Sequence, residues 1–150
     1  MAEAKEQLFN EAVKLHEQAV KGDKEAALKA SKLLERLKQQ YPKDLLIEAY
    51  YGSSLTLLGR DEIDPIQRFN KANKGLKILD GVIAKAPDNL QARLLRGYIC
   101  LRLPEEHFHR QKTAIEDFSY LKAAYERDGN CLPKETYRQV VTNLAKLTSK

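Results

Sequence analysis

The sequence predicts an all-α fold, and three observations predict it. Gly and Pro are scarce, seven and five in 150 residues, and they fall almost wholly where an apolar period breaks. Between those breaks, apolar residues recur at three- and four-residue spacing, the period of a helix with one buried stripe. No run of four to eight residues alternates β-branched or aromatic side chains with polar ones, as a half-buried strand requires. The length is that of one ordinary domain, 1–150, with a core of its own.

Seven helices follow in order. The first runs from about Glu3 to Lys21 with Leu8, Ala12, Leu15 and Ala19 on one stripe, and Gly22 closes it from the C′ position. Asp23 caps the second, about Lys24 to Tyr41, which turns Ala27, Ala30, Leu34 and Leu37 inward and stops before Pro42. The third spans about Asp44 to Leu58 and ends at Gly59. Asp64 and Pro65 open the fourth, which runs to about Ala86 with Phe69, Ala72, Leu76, Leu79 and Ile83 inside. Pro87 and Asp88 open the fifth, with Asp88 and Gln91 spaced as a capping box and Leu94, Leu95, Tyr98 and Leu101 as its apolar side. The sixth, about Glu105 to Arg127 after Pro104, carries Phe108, Ala114, Phe118, Leu121 and Tyr125. The seventh, about Pro133 to Leu147, carries Tyr137, Val140, Val141, Leu144 and Leu147.

Composition limits the class of function. At 43% hydrophobic and 31% charged residues the chain has a globular balance, and no stretch approaches the roughly 18 apolar residues of a membrane span. The first twenty residues interleave acids with bases around no apolar h-region, so a cytoplasmic location is expected. Cys100 and Cys131 are too far apart for a CxxC arrangement and too few for a disulfide scaffold, and are expected as thiols. The net charge of +5 is compatible with nucleic acid. The bases are nevertheless diluted by acids, as in the i,i+4 pair Glu25 and Lys29, and no aromatic residues interleave with them as single-strand binding requires.

A shift of 45 residues superposes the chain on itself. It pairs Ala30 with Gly75, Leu34 with Leu79, Leu37 with Val82, Pro42 with Pro87, Leu45 with Leu90, Gly52 with Gly97 and Leu58 with Leu103. Self-similarity of this kind marks stacked helix pairs. Gly52 and Gly97 each interrupt a helical apolar run at a cost of about 1 kcal/mol relative to Ala, and close approach of a neighbouring helix accounts for both. The order of a large residue beside Gly, an apolar residue three on, then a small–large–apolar series closed by Pro (Ala30, Leu34, Leu37, Pro42; Gly75, Leu79, Val82, Pro87) resembles the tetratricopeptide repeat. This chain departs from that family in its longer period, which lengthened helices would absorb. A 45-residue period also lies in the range of HEAT and armadillo arrays, which place their Pro differently. The resemblance implies a right-handed α–α superhelix of about three antiparallel helix pairs, units 3–42, 43–87 and 88–132, with a capping helix over 133–148.

It also implies a concave wall that binds a peptide or protein segment. On the third helix that stripe is Tyr50, Ser53 and Leu57; on the fifth it is Gln91, Leu95, Tyr98 and Arg102. Core packing between repeats accounts equally for Tyr50 and Tyr98. The Lys, Asn and Arg clamp with which some family members hold a terminal carboxylate is replaced by Tyr50, Ser53 and Leu95, which disfavours a chaperone-tail receptor. Glu105, Glu106, His107 and His109 suggest a metal, but residues i and i+2 of a helix point about 200° apart and do not share one ion. His16 stands alone, and no nucleophile context or phosphate loop occurs. The expectation is a non-enzymatic adaptor without cofactor or metal. A basic nucleic-acid-binding array and a self-associating structural subunit are the alternatives.

Overall fold

A computed structural model describes residues 2–149. Among them are eight helices and no strand: α1 (Ala2–Val20), α2 (Lys24–Gln40), α3 (Leu45–Asp61), α4 (Pro65–Lys85), α5 (Leu90–Arg102), α6 (Glu105–Phe108), α7 (Gln111–Arg127) and α8 (Lys134–Thr148). The chain divides into two compact units, Met1–Asp88 and Asn89–Lys150.

Local chemistry sets the ends of the helices. Gly22, at φ +116°, takes the left-handed conformation that glycine adopts without steric cost. Around it Asp23 N–H reaches the Gln18 carbonyl and Gly22 N–H the Ala19 carbonyl, a Schellman closure of α1. Asp23 accepts from Ala26 N–H, Asp44 from Leu46 and Ile47, and Asp64 from Ile66 behind Pro65.

At two helix ends, backbone angles 45 residues apart are nearly the same. Tyr41 closes α2 at φ −128°, ψ 65°, donating to Leu37, and Ala86 closes α4 at φ −138°, ψ 76°, donating to Val82. Asp44 and Asn89, 45 apart, then cap the next helices at nearly the same angles. The cap of α5 is thus Asn89, which accepts from Ala92 N–H, and not Asp88. One residue of helix start decides which side chain reaches a free N–H.

In the first unit α2 packs on α1 and α3, and α3 packs on α4 and touches α1. Every residue of α3 from Ala49 to Leu57 is buried, as befits a helix enclosed on all sides. Leu34, Leu37, Ile47, Leu76, Leu79 and Val82 fill the space around it, each side chain contributing about 1.5–3 kcal/mol of burial. The helix does not stop at Gly59, which lies inside it. A Cβ there would come 2.9 Å from the Arg68 carbonyl oxygen, so Gly59 is retained because α4 passes against it. Phe69, expected inside, is 44% exposed. Arg68 and Ala72 supply the backbone that faces Gly59, and Phe69 sits about 100° around the helix from Arg68.

In the second unit α7 packs on α5 and α8. Phe118, Leu121, Ala114, Ala92, Cys100, Ala124, Leu132 and Val140 are its buried apolar residues. The expected sixth helix is two. His109 adopts φ 55°, ψ 44°, which ends α6 after a single turn. The Glu105 carboxylate then accepts from Gln111 N–H at 2.8 Å and caps α7 across the break. The inward face of α5 also differs from expectation. Ala92, Arg93, Arg96, Gly97 and Cys100 are buried, whereas Leu94, Leu95, Tyr98 and Leu101 are half-buried.

Candidate functional site

The two expected stripes have different fates. Tyr50, Ser53 and Leu57 line packed core. Tyr50 meets Phe9 and His16 edge to face at 5.4 and 5.1 Å, and Leu57 packs with Ala19, Ala26 and Ala27. Ser53 Oγ lies 2.7 Å from His16 Nε2. α1 covers this stripe, so it forms no open wall. The His16–Ser53 pair has the reach of a base and a hydroxyl nucleophile, but the two residues are 5% and 3% exposed. Their contact joins α1 to α3 and satisfies two buried polar groups.

On α5 the stripe stays accessible. Gln91 and Arg102 are exposed, Leu95 and Tyr98 half-buried. The Tyr98 ring rests edge-on against Phe118 at 5.3 Å, and the Arg102 guanidinium lies 5.9 Å from its centroid. The Tyr98 hydroxyl donates to Gln139 Oε1 at 3.2 Å and meets the Asn143 side chain. Burial pushes the phenol above its ordinary pKa, against the pull of Asn143 and Arg102, so it is a neutral donor at physiological pH. Beside it opens a groove of about 390 Å³ whose other lining residues, Glu135, Arg138, Gln139, Thr142 and Asn143, all belong to α8.

Those five residues were missed because α8 reads as a terminal cap. A signal was present: positions 135, 138, 139, 142 and 143 form a polar stripe of helical period, opposite the buried Val140. Gln139 and Asn143 stand one turn apart, about 6 Å along the axis. Successive same-side residues of an extended peptide are about 6.6 Å apart. Each amide both donates and accepts, as each peptide unit does.

Behind Tyr98, α5 and α7 are joined by buried charge. Asp117 is wholly buried. Arg96 grips it through Nε to Oδ2 and Nη2 to Oδ1, both 2.8 Å, and Arg93 Nη1 adds a contact of 3.0 Å to Oδ1. Glu116, largely exposed, also approaches both arginines, and Arg93 lies 4.2 Å from the Tyr120 ring centroid. Burial raises the Asp117 pKa, and the two guanidiniums pull against that rise. Arg93 and Arg96 escaped sequence reasoning because charged side chains are mostly exposed. Their three-residue spacing beside Gly97 and Cys100 was the available sign.

A second recess, about 500 Å³, lies against Lys5, Tyr41, Pro42, Lys43 and Asp44. Lys5 in it is engaged with Asp44 at 2.7 Å and over the Tyr41 ring. Among the described residues no three His, Cys, Asp or Glu are placed to hold a metal ion, and no helix is long and apolar enough to cross a membrane. Glu106, His107 and His109 are exposed around the α6 break. Cys100 is buried, Cys131 half-buried, and both are thiols. No protein family, curated protein or solved structure matches the chain.

Proposed function

We propose that the chain is a cytoplasmic, non-enzymatic protein-binding module, a divergent helical-repeat protein of the tetratricopeptide kind. Its second unit takes an extended peptide along the groove between α5 and α8. The observation that carries this reading is the pairing of Tyr98 with the amides of Gln139 and Asn143 along one open groove, at a spacing close to the two-residue repeat of an extended chain. The equivalent helix ends at Tyr41 and Ala86, and at Asp44 and Asn89, support the repeat.

A photo-crosslinking residue at Arg138, with one at Lys29 as control, tests the reading in extracts of the native source. The expected product is a peptide crosslink at Arg138 alone. The corresponding synthetic peptide should bind, with Asn143→Ala weakening it about fivefold, the worth of one hydrogen bond of about 1 kcal/mol. Its affinity should change little with salt. A nucleic-acid adduct whose binding falls steeply with salt, or a peptide indifferent to Asn143, refutes it.

A further inference from the structure

The side of α4 turned away from the core carries bases and no acid. Ala72, Gly75, Leu76, Leu79, Val82 and Ile83 are its buried face. Opposite them Ile66, Asn70, Lys74, Lys77, Gly81 and Lys85 are all exposed. At the helical period these six fall within one arc of about 100°, running about 28 Å along the axis. The helix has five bases and one acid, a net charge of +4 in a chain whose whole net charge is +5. That acid, Asp80, is half-buried and lies outside the arc. Among the described residues none of Lys74, Lys77 and Lys85 forms a salt bridge. At the N-terminal end of the same arc Ile66 is 69% exposed, and Ile63, in the connection just before the helix, is 93% exposed. The acids beside them are engaged within the chain, Asp61 with Arg60, Glu62 with Lys71, and Asp64 with the Ile66 N–H. One face thus joins an apolar end to a basic stripe.

We propose that this face of α4 docks on a lipid bilayer with anionic headgroups. Ile63 and Ile66 enter the boundary between headgroups and acyl chains, and Lys74, Lys77 and Lys85 lie against the headgroups along the helix. Their long stems let the ammonium groups stay at that level while the isoleucines go deeper. The lysines call for an anionic surface, and the isoleucines select among such surfaces. A nucleic-acid backbone offers phosphates to the lysines and nothing to Ile63 and Ile66. A folded acidic protein would need a pocket for Ile63, which stands almost wholly clear of its own chain. A bilayer yields to a side chain of any shape. Gly81, within the arc, has nothing within 4 Å of an added Cβ, so no contact inside the chain accounts for a residue that weakens a helix interior. Its missing side chain lets the helix lie close to the headgroups between the lysines. Each lysine near an anionic surface strengthens binding about fivefold, so three lysines and two isoleucines give reversible attachment. The face lies in the first unit and does not depend on the groove beside Tyr98.

Cosedimentation of the full chain with vesicles tests this. Vesicles of phosphatidylcholine with about one-third phosphatidylserine should bind the chain at least about tenfold more tightly than phosphatidylcholine alone, and added salt should release it. Lys74→Glu combined with Lys77→Glu should weaken binding at least about tenfold. Ile63→Ser should weaken it about fivefold or more. Each variant is first shown folded by circular dichroism. A chain that stays in solution with the anionic vesicles, or binds neutral ones equally well, overturns the proposal. Vesicle binding indifferent to Ile63→Ser overturns it too. Duplex DNA held through the same lysines more tightly than the vesicles would overturn it as well, and would assign the stripe to a phosphate backbone.

Discussion

Gly52 and Gly75 face each other across α3 and α4 with no room for a side chain on either. A Cβ on Gly52 would lie 2.9 Å from the Gly75 carbonyl oxygen, and one on Gly75 would overlap the Gly52 carbonyl oxygen and the Thr56 methyl. Gly75→Ala is therefore expected to destabilise the protein by about 1–3 kcal/mol, overpacking outweighing the gain in helix propensity. Gly81→Ala, on the same helix with nothing within 4 Å of the added atom, should stabilise by up to about 1 kcal/mol. Urea midpoints of the two variants that move in the same direction would refute the backbone-contact explanation.

Gly97, the 45-residue counterpart of Gly52, is closed off by side chains. The nearest atoms to an added Cβ belong to the Phe118 ring at 3.1 Å and to Asp117 Cβ at 3.3 Å. Side chains yield by a few tenths of an ångström more readily than a backbone does, so Gly97→Ala should cost less than Gly75→Ala. Gly97→Leu should still disrupt the second unit, since no shift of that size admits a butyl group. Thermal melts of the three variants rank them.

Asp117→Ala should cost about 3–5 kcal/mol, because it leaves Arg93 and Arg96 buried without the carboxylate that both contact. Urea unfolding followed by a probe in the second unit reads this directly. A loss below about 1 kcal/mol would show the arginines turning outward at no cost.

Asp44 governs an acid-sensitive step. Its burial works to raise the pKa, but the hydrogen bonds from Lys5, Ile47 and Leu46 and the Lys5 charge more than offset this and hold it below the ordinary value. A carboxyl depressed in the folded state contributes stability above its unfolded pKa of about 3.9 and loses it as pH falls through the folded value. Asp44→Asn, which preserves a cap-forming side chain, should lower the melting temperature at pH 7 and converge with the parent in strong acid. A difference that persists unchanged to pH 2 would contradict the assignment.

At the α6–α7 break, Glu105→Ala should cost about 1 kcal/mol by removing the cap on Gln111 N–H. His109→Gly should stabilise, since glycine occupies φ 55° without the penalty a Cβ brings. Amide exchange in the first turn of α7 should quicken in the former variant and slow in the latter.

Several helix ends were legible from sequence because one residue type carries the local physics, although at α5 the adjacent pair Asp88 and Asn89 left the choice of cap to the helix start. Gly22, Asp23, Asp44, Asp64 and Pro65 each mark an end that the structure contains. Gly59 misled because the same residue serves to end a helix or to admit a neighbour, and only the neighbour's position distinguishes them. The α5 face misled for a related reason. Hydropathy assigns Leu94 and Leu95 to the core, but a partner carboxylate on α7, 21 residues beyond Arg96, allows the arginines to be buried instead. The accessible side of the groove escaped because α8 borders Tyr98 through tertiary packing, and no spacing within α5 encodes that.

The seam at Gly52, Gly59 and Gly75 has a mechanical consequence. Two backbones held in contact over about two turns of each helix cannot slide or splay without collision, so α3 and α4 behave as a single stiff beam. The connection from Glu62 to Asp64 therefore runs between two helix ends that keep a fixed separation, and its conformations are limited to those that span that gap.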